Sequence, residues 1–368
     1  MRVLVAPDSF KGVLDARAVS EAVARGVRRA RPDAEVITVP LADGGEGTLD
    51  ILVDACRGRR RSVKTSGPLG DPIEATVGLI RDASTAVVEL ASAAGFSLIP
   101  AELRNPLKTS TYGVGQLIRA VVETEIEEII LTVGGSATVD GGIGMMQALG
   151  MTFQDRDGKT MSERVVGGDL PRIGAFAWDH APPNIENVQF TIACDVFNPA
   201  CGPYGAAAVF GPQKGADAEG VRILDQGLAH WAELLEADAG RRFRDEPGTG
   251  AAGGVALPLL ALTSASIVPG IDLVSEAVGL ACLIPQADLV ITGEGKLDRQ
   301  SLMGKVVGSV ARMAHATGIA CVAIVGTTGP GAEDCLEILD RYETLDAPLD
   351  QTELRLEEVA TRLASELT

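Results

Sequence analysis

Residues Met1–Ala30 read MRVLVAPDSFKGVLDARAVSEAVARGVRRA, and two periods inside them decide the fold. Val3 to Ala6 is a short apolar run of strand type, and Pro7 to Gly12 breaks it as a loop. Asp15 then stands where a helix N-cap belongs, ahead of apolar positions Val19, Ala22, Val23, Gly26, Val27 and Ala30, which recur three and four apart. Strand, loop and helix in that order are the grammar of an α/β protein, whose ligands bind in the loops at the carboxyl ends of parallel strands.

The pattern continues outward from this stretch. Val36 to Val39 reads as a second strand, breaking at Ala42-Asp43-Gly44-Gly45-Glu46-Gly47-Thr48 before a helix through Leu49, Leu52, Val53 and Cys56. The basic run Arg57 to Lys64 reads as a solvated helix end and linker. Beyond it the texture changes: Ile73 to Ile80 and Thr85 to Leu90, joined by Arg81-Asp82-Ala83-Ser84, predict an antiparallel hairpin and a new domain. Further on, a strand at Ile129 to Val133 feeds the loop Gly134 to Gly142, Asp157-Gly158 marks a hairpin turn, and the strand Phe190 to Ala193 ends on Asp195. The uncharged stretch Gly248 to Ile271 holds too many Gly and Pro residues for a lipid-facing helix and reads as a Gly-rich loop followed by a buried helix. Parallel texture returns with Leu289 to Thr292 running into Gly293-Glu294-Gly295, and with Val322 to Val325 running into Gly326. The expected organisation is a discontinuous α/β domain of residues 1–64 and 258–368, with a second domain of residues 65–257 inserted into it.

Composition narrows the function. Among 368 residues, 32 Lys plus Arg stand against 50 Asp plus Glu, a net charge of −18 that repels nucleic acid and anionic membranes. Six cysteines and three histidines show no zinc or disulfide spacing, and the apolar start is too short for a signal-peptide core, so the cytoplasm is the expected compartment. The oligomeric state is not legible in the sequence.

The chemistry is concentrated in Gly-rich loops that also carry carboxylates. Glycine lets backbone N–H groups approach phosphate, and an aspartate at the same rim can hold Mg²⁺; the bland alternative is that such clusters are simply turns. Lysine usage favours phosphate: only seven of the 32 basic residues are Lys, and Lys11, Lys214, Lys296 and Lys305 stand in or beside Gly-rich segments. Known nucleotide signatures fail. There is no Walker pattern and no protein-kinase set, and Gly248-Thr249-Gly250-Ala251-Ala252-Gly253 matches a dinucleotide fingerprint without the strand that must precede it. Asp195, ending a strand near Asn198, suits a general base or a metal ligand, or else an Asx-turn. Arg104 suits a substrate carboxylate, or else a surface ion pair.

Five ordered segments then carry a resemblance to a known family. They are Ala6-Pro7-Asp8-Ser9-Phe10-Lys11-Gly12, Ala42 to Thr48, Gly134-Gly135-Ser136-Ala137-Thr138 through Gly141-Gly142, Phe210-Gly211-Pro212-Gln213-Lys214-Gly215-Ala216, and Ile291-Thr292-Gly293-Glu294-Gly295 with Asp298 and Ser301. Together they span the chain, and the chain resembles the bacterial glycerate kinase type 1 family. One departure is Ala200 in Asn198-Pro199-Ala200-Cys201-Gly202, where a larger apolar residue is expected. The resemblance implies ATP- and Mg²⁺-dependent phosphorylation of D-glycerate to 2-phosphoglycerate. It also implies a flavodoxin-like domain, a second α/β domain resembling restriction endonucleases, and a site in the cleft between them. Within that reading, residue type and position suggest the roles. Asp195 is the expected base or metal ligand, and Lys11 and Lys214 the expected stabilisers of the transferred phosphoryl group. Asp43 and Asp298 are expected at Mg²⁺, Asp8, Ser9 and Arg104 at the substrate, and Gly134, Gly135, Ser136, Thr138, Gly293 and Gly295 at nucleotide phosphates. Two rivals stay open on the residues alone, a nucleotide-sensing regulator without turnover and an NAD-dependent oxidoreductase.

Overall fold

The computed structural model describes residues 1–366. By its internal contacts the chain forms two compact units, Met1–Asp43 with Pro269–Thr368, and Gly44–Val268. Their limits fall at 43/44 and 268/269, where the sequence suggested 64/65 and 257/258. Numbered along the chain, the strands are β1 (Arg2–Val5), β2 (Glu35–Thr38), β3 (Arg59–Ser66), β4 (Pro72–Ile80), β5 (Thr85–Glu89), β6 (Glu128–Thr132), β7 (Thr152–Asp155), β8 (Ile173–Ala177), β9 (Gln189–Ala193), β10 (Ser264–Val268), β11 (Leu289–Leu297), β12 (Ala320–Thr328) and β13 (Arg341–Thr344).

The first unit holds one five-stranded sheet in the order β2-β1-β11-β12-β13, with every pair parallel. Counted within the unit this is the order 2-1-3-4-5 of a flavodoxin-like sheet. Val3, Leu4 and Val5 are buried on both faces, as a strand covered by helices on each side must be. Asp15 caps the helix Ala16–Ala30 by accepting from Ala18 N at 2.7 Å. Val19, Ala22, Val23, Gly26 and Val27 are buried as the periodicity predicts. Gly26 is required there, because a Cβ would lie 2.3 Å from the carbonyl oxygen of Glu357 in the helix Thr352–Glu366.

The second unit holds a six-stranded mixed sheet in the order β10-β9-β6-β5-β4-β3. The pairs from β10 to β5 are parallel, and β5-β4 and β4-β3 are antiparallel. A small antiparallel pair, β7-β8, lies apart from it. The core packs around Trp231, which is fully buried and donates from Nε1 to the Gly141 carbonyl at 2.9 Å. Among the described residues no helix is long and apolar enough to cross a membrane.

Three readings need correction. The basic run Arg57–Lys64 is not a helix end and linker: from Arg59 it is the edge strand β3, paired residue for residue with β4. Its arginines defend an exposed edge, and Arg60 reaches Asp50 and Asp54. Gly293-Glu294-Gly295 is not a loop, because β11 runs straight through it and stays paired with β12 as far as Leu297↔Thr328. The stretch Gly248–Ile271 does contain the buried helix Ala256–Leu262, and it also contains β10, which the Gly/Pro texture concealed.

Candidate active site

In the first unit three carboxylates come from the carboxyl ends of three neighbouring strands. Past β1 the chain stays beside β11, with Ala6 N donating to Ile291 O and Asp8 N to Gly293 O, each at 2.8 Å. Past β2, Leu41 N donates to Pro7 O at 2.9 Å. These bonds extend the sheet beyond its regular strands and deliver Asp8, Asp43 and Glu294 to one pocket of about 380 Å³. All three are nearly inaccessible, at 4%, 2% and 4% exposure.

Burial and mutual repulsion dominate the electrostatics. Burial first, and then the Asp43 carboxylate, push Asp8 up to about 8, against the partial relief of Lys11 and the Ser9 amide. Burial likewise pushes Glu294 up to about 7, opposed by Ser301 and Lys305. Glu294 Oε1 is buried with no hydrogen-bond partner. Lys11, exposed in the loop, places Nζ 3.6 Å from Asp43 Oδ2.

The structure therefore brings Asp8, Ser9, Lys11, Asp43 and Gly295 together in this pocket. Glu294 is a member that the sequence quoted but gave no role. Two expected members lie outside the pocket lining. Gly293 is an interior rung of the β11-β12 ladder, opposite Ile324. Asp298 is engaged locally: its Oδ1 accepts from Gln300 N at 2.9 Å, and Lys296 Nζ lies 3.3 Å from its Oδ2.

In the second unit the loop Gly134–Thr138 follows β6. Gly134 N donates to Gly44 O at 3.2 Å, and a Cβ on Gly134 would lie 2.4 Å from Gly45 Cα, so two Gly-rich segments touch where only glycine fits. Lys214 is 3% exposed and turns inward: Nζ donates to Ser136 Oγ at 2.7 Å and to Thr138 O at 2.8 Å. Burial holds this ammonium down to about 7, with Asp140 opposing. Asp140, fully buried, accepts from Thr111 N at 2.7 Å and Thr111 Oγ1 at 2.8 Å. Phe96 N donates to Gly135 O at 3.1 Å, and the Arg104 guanidinium lies over the Phe96 ring at 5.1 Å. Arg104 Nε is buried with no hydrogen-bond partner. Gly135, Ser136, Thr138, Lys214 and Arg104 thus belong to one polar cluster. Asp195 sits half-buried just past β9, and the nearby Asn198 secures its own loop by donating to Tyr204 O at 2.8 Å.

No ready-made group of three or more His, Cys, Asp or Glu with metal-binding geometry occurs among the described residues. Mg²⁺ does not demand one, since it is held by one or two carboxylates together with substrate phosphates and water. Asp8, Asp43 and Glu294, buried and repelling one another in the pocket, include one or two carboxylates that would suit such an ion.

The chain is similar over its length to known proteins. A family model described as the glycerate kinase family matches residues 3–368. A glycerate kinase of Halalkalibacterium halodurans is 42% identical, covering 98% of this chain and 97% of its own. The glycerate 2-kinase of Escherichia coli is 40% identical, covering 89% and 85%. A crystal structure described as a candidate glycerate kinase 2 from Salmonella typhimurium LT2 superposes with a TM-score of 0.83 at 38% identity, covering 100% of this chain and 98% of that one.

Proposed function

The chain belongs to the glycerate kinase family of phosphotransferases, and from that premise we propose that it phosphorylates D-glycerate at O2 with ATP and Mg²⁺, giving 2-phosphoglycerate and ADP. In the transfer the acceptor hydroxyl oxygen bonds to the γ-phosphorus, the bond from that phosphorus to its bridging oxygen breaks, and the hydroxyl proton passes to a carboxylate. The observation that carries this reading is the convergence of Asp8, Asp43 and Glu294 beside Lys11 at the carboxyl ends of adjacent parallel strands.

Asp8, Asp43 and Glu294 would hold Mg²⁺, which when bound offsets phosphate charge. Asp298 is assigned to its turn instead. Lys11 keeps the assignment of stabilising charge on the transferred phosphoryl group, because its ammonium is exposed beside the acids. Lys214 is reassigned: it spends its donors on Ser136 and Thr138, so it shapes the Gly134–Thr138 loop rather than meeting phosphate itself. Arg104, with an unsatisfied Nε, is assigned to the acceptor's carboxylate. Asp195 is assigned as the base that takes the hydroxyl proton.

The test is ADP formation by the full chain on adding D-glycerate, with phosphorus NMR to identify the product. A resonance of 2-phosphoglycerate is expected. The 3-isomer would refute the O2 assignment, and absence of glycerate-dependent ADP would refute the reaction.

A further inference from the structure

Phe96 opens the short helical turn Phe96–Leu98, Arg104 follows the turn Ala101–Leu103, and between them the chain folds back on itself. The Arg104 guanidinium carbon thereby lies 5.1 Å from the centroid of the Phe96 ring, a distance at which the negative face of an aromatic ring attracts a cation. Hydrogen bonding does little to fix this side chain. Its contact with Phe96 O is long, at 3.5 Å, and its Nε is buried with no hydrogen-bond partner. The ring is what holds the plane of the guanidinium.

Both partners of the stack are anchored to the Gly134–Thr138 loop. Phe96 N donates to Gly135 O at 3.1 Å. Arg104 lies against Gly215, where a Cβ would come within 2.1 Å of the Arg104 carbonyl oxygen, and Gly215 directly follows Lys214, which donates to Ser136 Oγ and Thr138 O. A buried charged donor without a partner costs free energy unless a ligand supplies the acceptor. A carboxylate is the acceptor whose two oxygens match the edge of a guanidinium.

We propose that Phe96 is a positioning residue that sets the affinity for the acceptor's carboxylate, its ring holding the Arg104 guanidinium flat so that the Nε edge is kept for the two carboxylate oxygens; the inference rests on the assignment of Arg104 in the kinase reading above. An arginine that nothing holds gives up rotamer freedom when it grips a carboxylate through two parallel bonds. A ring that fixes the plane beforehand removes that cost. The effect therefore falls on binding of the acid rather than on the transfer step.

The experiment replaces Phe96 in the full chain by mono-, di- and trifluorinated phenylalanine, which keep the shape of the ring while weakening its negative face step by step. The KM for D-glycerate and its calorimetric Kd are expected to rise together along the series, about three- to tenfold at the trifluorinated ring, with kcat within about twofold and the melting temperature unchanged. A ring that merely fills space would leave the series flat. Phe96→Leu, apolar but without an aromatic face, is expected to lose at least as much affinity as the trifluorinated ring, and NMR of the Arg104 Nε–H is expected to show a ring-current shift in the wild type that this variant lacks. A flat series, with Arg104→Ala still raising the KM, overturns the positioning role and leaves the kinase reading intact. A Kd for D-glycerate that follows the series without glycerate-dependent ADP formation refutes the kinase reading and supports the positioning role.

Discussion

Lys214 Nζ lies 2.7 Å from Ser136 Oγ, and this bond joins two segments 78 residues apart inside the second unit. The lysine is therefore an internal strut, and its titration leaves a signature. Burial holds it down to about 7 in the fold against the 10.5 of an ordinary lysine, so between those values the unfolded chain binds more protons. Stability contributed by this group is thus gained as pH rises from about 7 to 10.5. Lys214→Met is expected to lose that slope in urea unfolding, and to lower kcat/KM at least about tenfold because the Thr138 carbonyl loses its donor. An unchanged pH slope counts against the strut.

Lys11 is the opposite kind of lysine, 66% exposed and 3.6 Å from Asp43. Lys11→Met is expected to lower kcat by about 10²-fold or more with little change in melting temperature, since charge-stabilising donors at reacting centres are worth about 3 kcal/mol. Normal kcat removes the assignment, and collapsed stability makes the residue structural.

Arg104→Ala tests the acceptor's carboxylate. A charged hydrogen bond is worth about 1.5–3 kcal/mol, so the KM for D-glycerate is expected to rise about ten- to hundredfold. Turnover of glycerol, which lacks the carboxylate, is expected to be equally slow in both proteins. A parallel loss on both acceptors indicates a packing role through Phe96 instead.

Glu89 offers a test by pH that does not involve the acid pocket. Its Oε2 accepts from Gly47 N at 3.1 Å and Leu49 N at 3.3 Å, at the first turn of the helix Thr48–Ala55. Burial outweighs these bonds and pushes the acid from 4.5 up to about 7. The folded state keeps this proton across that window while the unfolded chain has lost it, so this group's contribution to stability is full below 4.5 and declines up to about 7. Glu89→Gln is expected to flatten this decline, measured as the wild-type minus variant unfolding free energy on the acid side of that window and about one pH unit above it.

Excess EDTA is expected to abolish glycerate-dependent ADP formation, and added Mg²⁺ to restore it. Undiminished turnover after chelation defeats the cation assignment at Asp8, Asp43 and Glu294.

Much of this was legible in the first thirty residues, because local rules govern them. Asp15 caps by contact with a near neighbour, and the three-and-four spacing of Val19 to Val27 is enforced by one core face. The misreadings came from long-range effects. Arg59 to Lys64 looks like a helix end by charge, yet pairing with β4 fixes it as a strand, and that partner lies across a turn. Gly293-Glu294-Gly295 reads as a loop by composition, but β12 supplies a ladder that local propensity cannot anticipate. For the site, Lys11 and Asp43 were visible as loop residues. The inward turn of Lys214 was not, since the burial of an ammonium is decided by what surrounds it.

The continuation of β11 through Glu294 also bears on how such a site can change over time. A carboxylate on a loop can be shifted by lengthening or shortening the loop. Glu294 is instead one rung of a ladder opposite Val325, in a strand whose successive positions alternate between the two faces of the sheet. Deleting or inserting a single residue between Leu289 and Glu294 would turn the acid to the opposite face of the sheet and bring an apolar or glycine position into the pocket. Descendants of this chain are therefore free to vary this edge of the site by replacement, but gaps there are forbidden to them.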